Sequence, residues 1–94
     1  MTIIWLPDAL ESVVEICDFI DNINTEDSSL NWLSKFSHFI STYAKSNVQY
    51  SLCRYKPFGD RNLSCINYFG WVIVFRIEDQ HFIIHHVIRG ALLT

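Results

Sequence analysis

Residues 70–90, GWVIVFRIEDQHFIIHHVIRG, constrain the fold more than any other part of the chain. Two apolar runs flank the polar break Glu78-Asp79-Gln80, no Pro interrupts them, and Gly stands only at the ends. Val, Ile, Phe and Trp at that density suit a pleated, buried surface, so the stretch reads as an antiparallel hairpin. Strand alternation puts Trp71, Ile73, Phe75 and Ile77 on one face and Val72, Val74 and Arg76 on the other. Apolar residues on both faces require cover on both sides. The N-terminal half supplies helices for it.

Thr2-Ile3-Ile4-Trp5-Leu6 is a short apolar run stopped by Pro7, which suits a first strand. Pro7-Asp8 then opens a helix, because Pro tolerates the first turn and Asp8 and Glu11 favour its positive end. Leu10, Val13, Val14, Cys17 and Ile20 recur at helical spacing, widened by Ile16, Phe19 and Ile23. Asn24 to Ser29 is rich in capping residues and marks a break. A second helix runs to about Lys45, with Leu30, Leu33, Phe36, Ile40 and Tyr43 as its stripe and Trp32 and Phe39 beside it. From Val48 the period turns to two. Gln49 to Tyr55 reads either as a strand or as a loop, Lys56-Pro57-Phe58-Gly59-Asp60 as a turn, and Arg61 to Ile66 as a strand with Leu63 and Cys65 on one face. Asn67 to Gly70 turns the chain into the hairpin. The expected fold is one α+β domain over residues 1–94: an N-terminal strand and an antiparallel helical hairpin packed on a curled three- to four-stranded antiparallel sheet.

At 94 residues, half of them hydrophobic, the chain can bury a core but has little margin. No apolar stretch reaches the ~18 residues of a membrane span, and MTIIWLPDALE lacks the basic start of a secretory signal. A cytoplasmic protein without membrane contact is the expectation. Cys17, Cys53 and Cys65 are odd in number and form no CxxC pair, which predicts reduced thiols, Cys17 among them as a small core residue.

Net charge is −3, unevenly spread. Residues 1–46 hold seven acidic and two basic side chains, residues 47–94 three acidic and five basic ones. A phosphate-binding surface would therefore lie in the C-terminal half, and five cations make a thin one. No direct nucleic-acid binding is expected.

No glycine-rich phosphate loop, HExxH, GxSxG or paired-carboxylate signature occurs. His81 and His85 share strand parity but sit roughly 13 Å apart on an extended strand. His85 and His86 alternate to opposite faces, so neither pair predicts a metal site. No metal, cofactor or catalytic residue is assigned. Trp5, Trp32, Phe36, Phe39, Tyr43, Trp71, Phe75 and Phe82 fall on the stripes that meet in the core, which favours packing over base stacking. Tyr50, Tyr55 and Tyr68 lie in less regular sequence, as exposed residues would. Arg54, Lys56 and Arg61 flank the Pro57 turn and form the best polar contact set. Arg76 either ends its strand at the surface or pairs with Glu78 on the same face.

Four stretches resemble the ParE/RelE superfamily of toxins from bacterial toxin–antitoxin pairs. Ile3-Ile4-Trp5-Leu6-Pro7-Asp8-Ala9 is similar to the family's first strand and helix start, and Arg61-Asn62-Leu63 to its Arg-Glu-Leu. Tyr68 to Ile77 resembles its aromatic–Arg–Ile–Val–Tyr–Arg–Ile strand, and Val87-Ile88-Arg89-Gly90-Ala91 its closing Val-x-His-Gly-x. Ribonuclease members need cations and a Tyr or His around the scissile phosphate. Here Val72 stands for the strand Arg, Arg89 for the closing His, and Ala91-Leu92-Leu93 for the basic C-terminal residues. The resemblance therefore implies the ParE branch, a non-catalytic inhibitor of DNA gyrase neutralised by a cognate antitoxin. Its target- or partner-binding residues would be Arg54, Lys56, Arg61, Arg76, Arg89, Leu92 and Leu93. The alternatives are a RelE-like ribosome-dependent mRNA endoribonuclease, using Arg54, Lys56, Arg61 and Arg89 with Tyr50 or His86, and a degenerate member that binds only antitoxin.

Overall fold

A computed structural model describes residues 2–23, 28–44 and 52–90. Its elements are β1 (Thr2–Trp5), α1 (Pro7–Ile23), α2 (Ser28–Ala44), the one-turn α3 (Lys56–Gly59), β2 (Ser64–Tyr68), β3 (Trp71–Glu78) and β4 (His81–Arg89). The fold is α+β, a helical hairpin on one face of an open four-stranded sheet ordered β1-β4-β3-β2. Strands β2, β3 and β4 are antiparallel neighbours. Strand β1 adds to the outer edge of β4 in parallel, with Thr2 opposite His81 and Trp5 opposite Ile84. The Leu6 amide continues that pairing by donating to the Ile84 carbonyl at 3.0 Å.

Both hairpins use two-residue turns with left-handed backbone, φ 49° and 67° at Asp79 and Gln80 and 45° and 88° at Phe69 and Gly70. That twist matches the strands that it joins. Only Gly70 adopts it without steric cost.

Helix α1 buries Ala9, Val13 and Ile16, and α2 buries Phe36, Ile40 and Ala44. These spacings of three and four residues define the stripe that each helix lays on the sheet. Asp21 ties the helices together near their connection: its Oδ1 accepts from the Ser29 amide at 3.2 Å and its Oδ2 from the Ser29 hydroxyl at 2.8 Å. A carboxylate at that position also meets the positive end of α2. The apolar stripe read from the sequence is wider than the buried one. Leu10 and Val14 are 50% and 59% exposed, and Phe19, Ile23 and Leu30 are equally uncovered. The sheet has only four strands, two of them short, so part of each helix's apolar arc has nothing to lie on. Cys17 packs at the margin of the core as a free thiol, as expected. Burial and the nearby Asp21 and Asp18 raise its pKa.

The helix-covered core joins Ala9, Val13, Ile16, Phe36, Ile40 and Ala44 to Ile66, Tyr68, Ile73, Phe75, Phe82, Ile84 and Val87 of the sheet. Aromatic rings form its centre. Phe36 stacks on Trp32 with centroids 4.8 Å apart and meets Tyr68 edge-on at 5.3 Å, while Phe75 stacks on Phe82 at 4.5 Å. Each such pair adds roughly 0.5–1.5 kcal/mol beyond area burial. The aromatics are thus committed to packing. Tyr68, expected at the surface, is 7% exposed because even-numbered residues of β2 face the helices.

A smaller cluster covers the opposite, open face: Leu63, Val72 and Val74, with Tyr55, Phe58, Cys65 and Ile88 against them. Leu63 and Cys65 share this face as predicted, and so do Val72 and Val74. Its cover is not a helical hairpin but one segment that includes the single turn α3. Residues 53–65 fold over it, closed at the base by a Cys53–Cys65 disulfide and by a Cys53 amide bond to the Leu63 carbonyl at 2.7 Å. The expectation of reduced thiols is overturned: Leu52 pairs with Ser64 in an isolated bridge, so cysteines 12 positions apart become cross-strand neighbours. Of the stretch 49–55, residues 49–51 lie outside the described residues, and Leu52 forms only that one bridge before the chain bends. Strand β2 starts at Ser64 rather than Arg61, since Asn62 has φ 61° and breaks the extended backbone.

Candidate functional site

A β-bulge in β4 decides what the open face carries. Val74 pairs with His86, but the next residue, Phe75, pairs with Ile84, so His85 is the extra residue. Before the bulge, Phe82 and Ile84 face the helices; after it, Val87 does. With two residues between Ile84 and Val87, both His85 and His86 fall on the open face. The alternation read from the sequence, which sent the two imidazoles to opposite faces, fails at this one insertion. Their ring centroids are 6.3 Å apart.

Both imidazoles line a cleft of about 420 Å³ with Leu6, Pro7, Asp8 and Arg61. Three separate elements build it: the β1–α1 junction, the bulge of β4, and the turn that follows α3. Each is placed for a local reason. Leu6 is held on β4 by its bond to Ile84. Phe58 of α3 packs on the His86 ring with centroids 5.4 Å apart. The Arg61 amide donates to the Phe58 carbonyl at 3.0 Å, which ties the arginine to that aromatic anchor.

His85 is half-buried, and its Nε2 atom is shielded without a hydrogen-bond partner. Burial lowers its pKa below the ordinary 6.5, and the charges of Arg76, His86 and Arg61 lower it further. The fold therefore favours the neutral form of this ring, by burial first and by the repulsion of Arg76, His86 and Arg61 second. A bound oxyanion would reverse that balance by neutralising the cations. Arg61 together with two imidazoles can hold an oxyanion and move a proton on or off it. The Asp8 carboxylate on the same cleft works against anion binding there. Among the described residues, no group of three or more His, Cys, Asp or Glu side chains is placed to hold a metal ion.

The cations chosen from the sequence separate. Arg61 alone lines the cleft. Arg76, which the sequence left between the strand end and a Glu78 partner, does both: it is exposed at the end of the buried run and pairs with Glu78 at 3.1 Å. It reaches the cleft only through its field on His85. Arg54 is exposed, donates to the Tyr55 hydroxyl at 3.4 Å and lies 5.4 Å over that ring. Lys56 is exposed on α3. Arg89 is on the other side of the molecule, 5.8 Å over the Trp71 ring, in a groove shared with Ser12, Glu15 and Phe19 of α1. Leu92 and Leu93 lie outside the described residues, as does Tyr50.

Asp8 and His85 are thus cleft residues that sequence reasoning did not select, while His86 was named there only for the endoribonuclease alternative. The bulge that assembles them leaves no mark in the apolar pattern, except that the HH pair takes the place of one alternating position. No protein-family model matches this sequence, and no curated protein matches it.

Proposed function

We propose that the chain is a toxin-type domain of the ParE/RelE class that acts in the cytoplasm by occupying protein surfaces, with DNA gyrase as its target and a cognate antitoxin as its neutralising partner. The observation that carries this reading is the uncovered apolar set on the helical hairpin, Leu10, Val14, Phe19, Ile23 and Leu30, each half or more exposed. Leu10 with Val14 and Phe19 with Ile23 are one-turn pairs, the spacing at which an amphipathic partner helix is gripped. At ~100° per residue the two pairs fall on opposite flanks of the buried stripe of α1, so each suits its own strip that another chain covers. The strand–helix–helix–strands order behind the resemblance supports the same reading. So does the scatter of Arg54, Arg76 and Arg89, each of which contacts a neighbour of its own rather than a shared phosphate site. Purified protein should inhibit gyrase supercoiling, and Val14→Glu should abolish neutralisation by antitoxin. Normal supercoiling at saturating protein would contradict the reading.

The cleft favours a second reading, a divergent endoribonuclease. Arg61 would bind the scissile phosphate, one imidazole would take the 2′-hydroxyl proton, and the other would protonate the leaving 5′-oxygen. Cleavage of ribosome-bound mRNA that is lost in the His85→Ala/His86→Ala double variant, with supercoiling untouched, would establish this reading over the first.

A further inference from the structure

The cystine and the cleft are parts of one small unit. Arg61 stands on the segment that Cys53 and Cys65 close, and among the described residues that segment is fastened by the isolated Leu52–Ser64 bridge, the Cys53–Leu63 hydrogen bond, and the packing of Tyr55, Phe58 and Leu63. Inside the closed segment the contacts are dense. Phe58 and Gly59 amides both donate to the Tyr55 carbonyl, and Asn62 and Leu63 amides donate to Gly59 and Phe58. Gly59 sits directly on the Cys53 carbonyl, so that a Cβ there would collide with it. Displacement of Cys53 therefore moves α3 as a body, and with α3 go Phe58 on His86 and Arg61 at the cleft. Cys65 is on β2, an edge strand, and is partly exposed, whereas Cys53 is buried. One sulfur is thus within reach of an attacking thiolate.

We propose that the Cys53–Cys65 disulfide is a redox switch on the cleft: closed, it keeps Arg61 on the cleft that the two imidazoles line, and opened, it releases Arg61 and weakens anion binding. This rests on the cleft being an anion site. The opening step is thiol–disulfide exchange with a dithiol reductant. A thiolate attacks Cys65 Sγ, the protein S–S bond breaks to give a mixed disulfide, and the second reductant thiol displaces Cys65. Two cysteine thiols and one oxidised reductant result, with two electrons and two protons transferred.

Inorganic phosphate is the probe, followed by the ring resonances of His85 and His86 in the full chain, oxidised and after reduction with dithiothreitol. Free-thiol titration confirms the redox state. The expected result is an apparent Kd about tenfold higher after reduction, the loss of roughly one charge-assisted contact. Cys65→Ser should reproduce it without reductant, and reoxidation should restore the tighter value. Equal affinities in the two redox states would overturn the switch. So would collapse of the Phe75 and Phe82 resonances on reduction, because the bond would then be a staple for the whole fold. Absence of phosphate binding to the oxidised protein would overturn the reading of the cleft itself.

Discussion

The two faces of the sheet are built by different means. Among the described residues, the helix-covered face buries 13 side chains in one cluster, centred on stacked aromatics, and its cover comes from two 17-residue helices. The buried cluster on the open face has three members among the described residues, and its cover is a short disulfide-closed segment. The cluster on the first face contains no Asp, Glu, Lys, Arg or His. On the second, two imidazoles and an arginine share a cleft. The face with the larger apolar area fixes the fold, and the face with less cover is left with groups that can do chemistry.

This contrast can be broken most forcefully at Phe36. Phe36→Ala removes a fully buried ring from the middle of the aromatic stack and should cost about 3–5 kcal/mol in denaturant unfolding. Loss of the disulfide in Cys65→Ser should cost about 3 kcal/mol, the loop-closure entropy of a 12-residue separation. On the open face, Phe58→Ala should cost only about 1–2 kcal/mol, because its ring is partly exposed, yet it should alter the His86 ring environment where Phe36→Ala does not. If Phe58→Ala proved as damaging as Phe36→Ala, the two faces would share one core and the contrast would fail.

Smaller effects sharpen it. His85 has a lowered pKa in the fold, so the unfolded chain binds more protons below pH 6.5. Its contribution to stability is present above the unfolded value and is lost as pH falls through the folded one. The thermal midpoint should thus drop on acidification, and His85→Gln should flatten that slope. Smallest of all, Gln80→Gly relieves a left-handed backbone at the β3–β4 turn and should stabilise by about 0.5–1 kcal/mol, read as a higher denaturation midpoint.

The helix-covered face was legible in the sequence because its design is periodic. Val13 and Ile16, Phe36 and Ile40, and Ile73 and Phe75 could be placed from spacing alone. Periodicity overstated the helices at Leu10 and Val14, since it reports apolar width and not how much sheet lies beneath. The open face was legible only in part. Leu63, Cys65, Val72, Val74 and the Arg76–Glu78 pair followed from alternation. The turn at Asn62 and the extra residue at His85 did not, because each is a single-residue departure from a repeat. Cys53 and Cys65 flank the Pro57 turn, a spacing that suits a cross-strand pair, but nothing local fixed the register that joins them. Arg61 was found for its place beside a turn; the histidines that give it a role were assigned to opposite sides.

The joint placement of Arg61 and His85 on the open face is what the account depends on, and a pH titration of the His85 ring by NMR tests it most directly. The account predicts a pKa below 6.5 that rises toward that value in Arg61→Ala. A pKa at or above 6.5 that ignores the Arg61 substitution would contradict it.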